Sequence, residues 1–461
     1  MYKFGLNLKR LLLVAGDFIA FQGALACTLV LRYGSLQPAT WSLHELPFVI
    51  VTIGWIIGLY VSGLYDLTRA KNTLIHFRTF LESMLVNLLI AVAFFYLVPV
   101  FGIEPRTNLF LFFAISLFLI YAWRLAFNRF ITRGLFRTRL CYVGPAEDAT
   151  AFRNLIAQNT LGFQLVAIIA TTPYASRDAD GIIWTDHIES LPEFIVTQRI
   201  DAVVLGHHVD EIETLREALY RALYTSVALI DRRDIEELLT GRVPVASVDK
   251  AWFLRNLKES EKAWFEAVKR GTDILLAIPF GLLTIALTPI IAILMLTTSE
   301  GGLFFRQKRV GKNGKLFEIV KFRTMNHPGG RSDAELHGAQ FAVKDDARVT
   351  PIGRFLRVTR IDELPQVWNV LKGDMSFIGP RPERPEFVAQ LTERMPYYAL
   401  RHLTRPGLTG WAQVKFAYAS TLDDNLVKLQ YDLYYVKHRS LLLDFTILLK
   451  TIDTILRRKG T

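Results

Sequence analysis

Four long apolar stretches near the start of the chain restrict its fold more than any other feature of the sequence. Each is long enough to cross a hydrocarbon core of about 30 Å, which takes roughly 20 helical residues. We therefore predict a four-helix transmembrane bundle over residues 1–135. The predicted spans are Leu11–Leu31, Leu46–Tyr65, Leu81–Phe101 and Leu109–Phe130.

The positive charges indicate how the bundle is oriented. The formal net charge is +11, and the cations crowd beside the apolar stretches, which favours a membrane partner over nucleic acid. Lys and Arg cluster after the second and fourth spans, while the other two loops carry few, so the positive-inside rule places both ends of the bundle in the cytoplasm. The clustered cations are Arg69, Lys71, Arg78, Arg129, Arg133, Arg137 and Arg139.

Two features of the bundle have alternative interpretations. Lys3, Lys9 and Arg10 precede the first apolar run as in a signal peptide, but three further runs follow it and no convincing cleavage site does, so we predict a retained span. Asp17 and Glu82 lie inside or at the edge of spans, where a charge is costly enough to suggest function; pairing at helix ends or between helices is the alternative.

Residues 136–255 are typical of a soluble α/β domain. Short apolar runs alternate with polar helical stretches such as Glu211–Leu223, which predicts a Rossmann-like fold with a parallel sheet. Gly144 after the first strand is a lone glycine, far short of the GxGxxG that binds a dinucleotide. We therefore expect a structural or regulatory domain, and any ligand is left open. The strand-like runs are Leu140–Val143, Leu165–Ala170 and Ala202–Leu205.

A fifth apolar segment, Ile274–Leu296, differs from the first four in its flanks. Cations stand on both sides of it, including Lys269 and Arg306, which opposes a simple crossing. Pro289 favours a kink, and Thr288 can satisfy the backbone groups that it frees. We predict a re-entrant helix over residues 272–298 that enters the cytoplasmic leaflet, bends and returns. An ordinary fifth span is the alternative.

The region after Gly301 contains the residues suited to chemistry on phosphate. A strand-like run, Phe317–Val320, leads into Lys321 and Arg323, which alternation places on one face, where two cations suit phosphate oxygens. Exposed cations on a strand edge also serve to prevent aggregation, so this signal is weak by itself.

The stronger signal is the segment Arg357–Gln366, which contains the acidic pair Asp362 and Glu363. The placement of Pro365 fits a helix capped by Asp362, whose carboxylate would then lie at the positive end of the helix dipole. An unperturbed Asp is ionised at neutral pH and can act as a nucleophile without a base. Its repulsion from a phosphate would be offset by a divalent ion held partly by Glu363 and by Lys321, Arg323, Arg357 and Arg360. An N-cap Asp with a surface Glu is the alternative.

Further strings follow in order: LKGDMSFIGPRPE at 371–383, RPGLTGWAQV at 405–414 and YDLYYVK at 431–437. With KFRTM and IDELPQ, they resemble the bacterial sugar transferase family, the polyprenyl-phosphate hexose-1-phosphate transferases. The resemblance runs from Lys262 to the C-terminus and predicts a membrane-associated α/β catalytic domain over residues 262–461. The preceding domains look like those of larger members, and GPRPERPEF looks like exopolysaccharide members found beside exosortase systems.

The resemblance implies a mechanism. Asp362 would attack the β-phosphate of a UDP-sugar and release UMP, and undecaprenyl phosphate would then attack the aspartyl phosphosugar. Glu363 would help to bind Mg2+. The family pattern places Lys321, Arg357 and Arg381 near the phosphates, and we group Glu383 of the same string with the substrate-binding residues. Thr288–Pro289 matches the kink of the family's re-entrant helix. The expected location is the bacterial inner membrane, with the catalytic domain facing the cytoplasm.

Rival functions lack their motifs. A membrane nucleotide-sugar dehydratase needs a glycine fingerprint and a Tyr-x-x-x-Lys pair, and both are missing from the sequence. A metal-dependent glycosyltransferase would use an Asp-x-Asp motif, which the sequence matches only at Asp178–Asp180 in a polar loop. A non-catalytic membrane scaffold or regulator remains a further alternative, but it has no need for adjacent acids among arginines.

Some features are left open. The sugar is not readable from the sequence, and a homodimer is compatible with it. The loop 326–344 has no assigned role, and His327, His337 and His207–His208 are more typical of solvated or structural histidines than of metal ligands. Leu441–Leu456 is typical of an interfacial amphipathic helix with a basic tail, and a core helix is the alternative.

Overall fold

The computed structural model divides the chain into two compact units, Met1–Leu239 and Thr240–Thr461. It describes the 461 residues except 1, 66–73, 99–105, 133–136, 159–161, 175–180, 207–212, 226, 258–261, 297–301, 326–347, 396, 417–420 and 457–461. The loop 326–344, the histidines at 207, 208, 327 and 337 and the Asp178–Asp180 motif therefore lie outside the described residues.

The first unit begins with four helices that are long and apolar enough to cross a membrane. The second and third begin earlier than predicted, at Pro38 rather than Leu46 and at Leu74 rather than Leu81. Polar residues fit this first part of the second helix because their side chains bond helix carbonyls; the Nδ1 of His44, for example, lies 2.8 Å from the Thr40 carbonyl oxygen. The helices are α1 (Tyr2–Tyr33), α2 (Pro38–Val61), α3 (Leu74–Leu97) and α4 (Arg106–Thr132).

Asp17 and Glu82, the two acidic residues predicted inside or at the edge of spans, are both paired. Asp17 is fully buried and accepts hydrogen bonds from Arg124 at 2.5 Å and from the Tyr65 hydroxyl at 2.6 Å. Glu82 accepts from Arg78 at 2.7 Å, one turn earlier on α3. Asp17 thus joins α1 to α4 and follows the alternative prediction of pairing between helices, while Glu82 pairs within α3.

The first unit continues with a five-stranded parallel sheet in the order β3-β2-β1-β4-β5, which confirms the predicted sheet. Helices cover both faces, so the strands are apolar on both sides. Tyr142 fills the crevice where β1 and β4 end, since a Cβ on Gly144 or Gly206 would lie 2.7 or 2.4 Å from its hydroxyl oxygen. The elements are β1 (Thr138–Gly144), α5 (Ala146–Gln158), β2 (Phe163–Ala170), β3 (Ile183–Thr185), α6 (Leu191–Thr197), β4 (Ala202–Leu205), α7 (Glu213–Ala222), β5 (Ala228–Asp231) and α8 (Arg232–Thr240).

A segment that we call the connector, residues 240–257, belongs to the second unit, although the prediction placed residues up to 255 with the Rossmann-like domain. Its helix α9 (Lys250–Asn256) buries Trp252 and Phe253 against Tyr398, Leu429 and other apolar residues of the second unit. The Trp411 indole N–H also donates to the Gly241 carbonyl at 2.8 Å. The connector is therefore part of this unit's core, which local polarity could not reveal.

The rest of the second unit consists of a long apolar helix and short strands and helices that pack along it. The β6 and β7 strands form an antiparallel hairpin, while β8 and β9 pair in parallel. The elements are α10 (Ala263–Leu296), β6 (Phe304–Val310), β7 (Leu316–Phe322), α11 (Pro351–Val358), α12 (Val367–Lys372), β8 (Ser376–Ile378), α13 (Pro385–Arg394), β9 (Gly407–Thr409), α14 (Trp411–Lys415), α15 (Leu422–His438) and α16 (Leu441–Leu456).

The α10 helix begins nine residues before the predicted position and contains Pro279 as well as Pro289. Thr288 donates to the Thr284 carbonyl at 2.6 Å, not to the Ile285 carbonyl that Pro289 leaves without its usual donor, as the prediction had assumed. A side chain at position 288 reaches back one turn to its own i−4 carbonyl, which is that of Thr284.

The C-terminal α16 is a helix over the predicted residues, and its two faces differ. Asp444 and Ile447 are buried against the rest of the unit, whereas Leu442 and Phe445 are exposed. An exposed apolar face opposite a buried one is the pattern expected of a helix at a membrane surface.

Candidate active site

The predicted acidic pair lies on a short 3-10 helix, Ile361–Gln366, that leads into α12. The residue that caps it is Arg360, in the left-handed conformation with φ of 60°, and not Asp362 as predicted. Arg360 reverses the chain after α11, and its carbonyl accepts from the Glu363 N–H at 3.2 Å. Asp362 and Glu363 consequently lie inside the first turn, where the helix dipole still favours negative charge.

Glu363 joins three parts of the unit. Its Oε1 accepts hydrogen bonds from Lys321 of β7 and from Arg381 of the loop after β8, each at 2.8 Å. Burial by itself would raise the pKa of Glu363, but the charges of Arg381 and Lys321 outweigh burial and hold that pKa well below its usual range. Glu363 is therefore ionised at all physiological pH values.

Asp362 is in a different electrostatic environment although it is adjacent. Its side chain is buried, and its Oδ1 has no hydrogen-bond partner among the described residues. Burial raises the pKa of Asp362, Lys321 opposes the rise, and the negative charge of Glu363 adds to it. The prediction of an unperturbed pKa for Asp362 is wrong because burial raises that pKa. Neighbouring acids whose pKa values are driven apart are typical of sites where each has its own role.

The remaining predicted cations lie at different distances from the pair. Arg357 donates to the Thr324 hydroxyl at 2.8 Å, and its charge, like that of Arg360, lowers the pKa of Asp362. Arg323 lies just beyond the end of β7, and its Nη2 is 4.0 Å from the position that a Cβ on Gly302 would occupy. The structure therefore brings Arg357 and Arg360 near the acid pair, and it records no contact between Arg323 and that pair.

Glu383 pairs with cations other than those that bond Glu363. Its carboxylate accepts from Lys428 at 2.5 Å and lies 3.9 Å from Arg309. Burial would raise the pKa of Glu383, but Lys428, Arg401 and Arg309 lower it to about 2. Its predicted role in substrate binding stays a prediction, because its described partners are all side chains of the protein.

The loop that carries Arg381 depends on close backbone contact. The Gly379 N–H donates to the Thr409 carbonyl at 2.8 Å, and the Gly407 N–H donates to the Pro380 carbonyl at 2.9 Å. A Cβ on Gly407 would lie 2.1 Å from the Gly379 nitrogen, so any other residue at position 407 would push these two backbone segments apart. This explains the glycines in both GPRP and RPGLTG.

An apolar groove of about 340 Å³ opens between α10 and α11. Ile361, the residue before Asp362, lines this groove, and so does the exposed Phe355. An apolar groove therefore adjoins the acid pair and its cations. Its other lining residues are Leu287, Ile290, Ile291, Leu294, Pro351, Ile352 and Leu356.

The acid pair can hold part of the coordination shell of Mg2+. Within the described residues no group of three or more His, Cys, Asp or Glu side chains could hold a metal alone. Mg2+ commonly binds through one or two carboxylates together with substrate phosphates and water. The buried Asp362 Oδ1, which lacks a partner, fits this mode, whereas the Oε1 of Glu363 already accepts from two cations.

The residues that hold the loop of Arg381 and Glu383 in place were not predicted from the sequence. Arg401 and Asp432 form a buried ion pair at 2.7 Å, and Lys428 and Arg309 hold Glu383. Asp432 lies in the YDLYYVK string, but neither residue of the ion pair belongs to a local pattern that predicts a partner 31 positions away.

The fold and site define a class: a membrane protein with a Rossmann-like domain and an α/β unit that buries an acid pair among cations. The chain belongs to the bacterial sugar transferase family. The family model for bacterial sugar transferases matches residues 264–458, and one for a CoA-binding domain matches residues 60–229.

Three relatives illustrate the similarity. The undecaprenyl-phosphate galactose phosphotransferase of Salmonella typhimurium is 37% identical over 71% of this chain and 70% of its own length. The UDP-glucose:undecaprenyl-phosphate glucose-1-phosphate transferase of Xanthomonas campestris is 30% identical over 72% and 69%. The UDP-N-acetylgalactosamine-undecaprenyl-phosphate N-acetylgalactosaminephosphotransferase of Aeromonas hydrophila is 44% identical, but the match spans 57% of this chain and only 60% of that relative.

Proposed function

We propose that the protein transfers a sugar 1-phosphate from a UDP-sugar to undecaprenyl phosphate, releases UMP and so initiates the synthesis of an exopolysaccharide or related glycoconjugate. The observation that carries the proposal is the buried Asp362, with its raised pKa, beside the permanently ionised Glu363 and its two cations. The names of the three relatives support the acceptor, and two of those names specify a UDP-linked donor.

In the first step, a carboxylate oxygen of Asp362 attacks the β-phosphorus of the donor. A bond from Asp362 to phosphorus forms, the bond from that phosphorus to the oxygen bridging the α-phosphate breaks, and UMP leaves with the electron pair. A carboxylate needs no base for this attack, but it must be ionised. Because its pKa is raised, Asp362 is protonated at a higher pH than a free aspartate.

The cations make this attack on an anion feasible. Lys321 and Arg381 are anchored on Glu363, and Arg357 is held by Thr324, so their charges are placed before the substrate arrives. Fixed charges of this kind stabilise a transition state without reorganisation. The Asp362 Oδ1, with Glu363 beside it, would hold Mg2+, which would add positive charge at the diphosphate.

In the second step, a phosphate oxygen of undecaprenyl phosphate attacks the phosphorus of the aspartyl phosphosugar. The bond between Asp362 and phosphorus breaks, which regenerates the carboxylate and yields undecaprenyl diphosphosugar. The groove at Ile361 offers a place for the first isoprene units, and Arg357 and Arg360 carry the charge that a lipid phosphate needs. A lipid substrate can thus place its phosphate beside Asp362 while its chain stays in an apolar environment.

The contacts of α10 support a re-entrant helix. A 34-residue helix is about 51 Å long, more than a bilayer core of about 30 Å requires. Near its start, Lys269 pairs with Asp444 at 2.6 Å, and near its end Ile291 packs with Phe322 and Leu356. Because both ends contact the same unit, a straight crossing would require that unit to lie on both sides of the membrane. We propose that α10 dips into the cytoplasmic leaflet of the inner membrane and that the unit faces the cytoplasm.

The proposed function is tested by UMP release from a panel of UDP-sugars, with the purified full chain, undecaprenyl phosphate and Mg2+. We expect release that depends on the lipid and is abolished in Asp362→Asn. Glu386→Gln, which removes an exposed carboxylate elsewhere in the unit, should retain the activity. UDP release would instead indicate an ordinary glycosyltransferase, full UMP release by Asp362→Asn would exclude the nucleophile, and no release with any donor would favour a scaffold or regulator.

A further inference from the structure

In the loop that carries Arg381, the backbone carbonyls of residues 380–383 each accept a hydrogen bond from another part of the unit. Gly407 N–H donates to Pro380 O at 2.9 Å, and Val310 N–H donates to Glu383 O at 3.0 Å. The two carbonyls between them, Arg381 O and Pro382 O, accept instead from side chains, the guanidinium groups of Arg401 at 2.9 Å and of Arg309 at 3.2 Å. Two arginines, Arg401 buried and Arg309 partly buried, therefore complete the support of this loop.

Arg401 makes the more extensive contacts of the two. Its side chain is 2% exposed, and Nη2 donates both to Arg381 O and to the Asp432 carboxylate, the latter at 2.7 Å. Its Nη1 donates to the Tyr398 hydroxyl at 2.7 Å. Asp432 on α15 is as deeply buried, so the pair is anchored in the core of the unit. The guanidinium thus connects this core to the backbone of the residue that contacts Glu363.

We propose that Arg401, oriented by Asp432 and Tyr398, is a positioning residue that fixes the backbone of Arg381 and thereby keeps the Arg381 guanidinium on Glu363. This inference rests on the proposed function, since it assigns Arg401 a part in phosphosugar transfer although Arg401 has no described contact with Asp362 or Glu363.

The planar fork of arginine is what the position requires. It directs donors toward Asp432, Tyr398 and the Arg381 carbonyl at once, whereas a lysine has one nitrogen at the end of a flexible chain. Arg401→Lys should keep the charge beside Asp432 and lose the link to the loop. A displacement of about 1 Å at a reacting centre is enough to lower a rate by about 100-fold.

Arg439 provides a matched control. It is similarly buried and bonds the Glu266 carboxylate at 3.1 Å and the Val436 carbonyl at 2.7 Å, and neither of these residues belongs to the Arg381 loop. Arg401→Lys and Arg439→Lys should lower the melting temperature to a similar extent. We expect kcat for UMP release to fall 10- to 100-fold in Arg401→Lys with a smaller change in KM, and less than 2-fold in Arg439→Lys.

Two measurements separate positioning from a general loss of structure. In an Arg381→Ala background, Arg401→Lys should reduce the rate no further, because the group through which it acts is gone. Amide hydrogen exchange across residues 379–384 of the full chain should be at least 3-fold faster in Arg401→Lys than in wild type, and unchanged in Arg439→Lys. Asp432→Asn, which keeps an acceptor at that position, should show the same pattern more weakly.

The outcomes distinguish this proposal from the proposed function. If wild type releases no UMP, the proposed function fails, and the exchange data still decide whether Arg401 holds the loop. Multiplicative effects of Arg381→Ala and Arg401→Lys, or loop exchange that is equal in Arg401→Lys and wild type, would overturn the positioning role. Should Arg401→Lys fail to fold, Asp432→Asn carries the same test, and wild-type loop exchange in that variant would reject the proposal.

Discussion

Replacing Glu383 by glutamine should reduce the stability of the second unit in a pH-dependent way. Burial by itself would raise the pKa of Glu383, but Lys428, Arg401 and Arg309 lower it from 4.5 to about 2. That difference corresponds to roughly 3 kcal/mol of folding free energy at neutral pH. Because the folded pKa is the lower one, this stabilisation is present above about pH 4.5 and is lost as the pH falls toward 2.

The assay is thermal unfolding of the full chain in lipid nanodiscs at a fixed scan rate, at pH 7 and at pH 3. For a unit of this size, roughly 3 kcal/mol corresponds to a decrease of about 6–12 °C in the unfolding midpoint of Glu383→Gln at pH 7. At pH 3 the unfolded Glu383 is already protonated, so the difference from wild type should shrink to less than half.

Glu386→Gln removes an exposed carboxylate three positions away and should leave both midpoints within 1–2 °C of wild type, since exposed pairs contribute about 0–1 kcal/mol. An equal difference between Glu383→Gln and wild type at both pH values would refute the charge argument. A raised KM for the UDP-sugar with an unchanged midpoint would instead support the predicted role of Glu383 in substrate binding.

Three further predictions concern the site and its supports. Lys321 lowers the pKa of Asp362, so Lys321→Met should move the acidic limb of the pH–rate profile upward by about 1–3 pH units. The control Lys372→Met should leave that limb in place, and an unmoved limb in Lys321→Met would contradict the coupling. Ile290→Trp should obstruct the groove and slow transfer to undecaprenyl phosphate about tenfold, while exchange of labelled UMP into the UDP-sugar is unchanged. If both reactions slow, the groove is not specific for the lipid substrate. Trp252→Ala should destabilise the unit by about 3–5 kcal/mol in thermal unfolding, and an unchanged midpoint would exclude the connector from its core.

The elements that local pattern encodes were predictable from the sequence. Apolar length alone identified the four spans, and the alternation of short apolar runs identified the parallel sheet, because both depend on residues close in sequence. The predictions were wrong where one local sequence pattern is compatible with two structures, as at the start of α2 and at the cap before the acid pair. A polar helix start is acceptable when side chains bond the backbone, as His44 does, and a capping position passes to Arg360 when a left-handed residue reverses the chain.

The connector shows a different limit. The connector begins at Thr240, the last residue of α8, without any change in composition that marks a boundary. Their assignment depends on Trp252 and Phe253 packing against Tyr398, which lies about 145 positions later. Packing partners that distant are not encoded in local periodicity, so only the tertiary structure could place the boundary at Leu239.

The sequence by itself determined which side chains this protein has for phosphate chemistry and the order in which the chain presents them. Only the tertiary structure decided what each of them does, because Lys321 and Arg381 reach Glu363 from 42 and 18 positions away. Burial raises the pKa of Asp362, whereas the charges of Arg381 and Lys321 hold the pKa of Glu363 down, so two adjacent carboxyl groups that are nearly equivalent in a free peptide become different. Desolvation and the convergence of distant charges are properties of the folded chain.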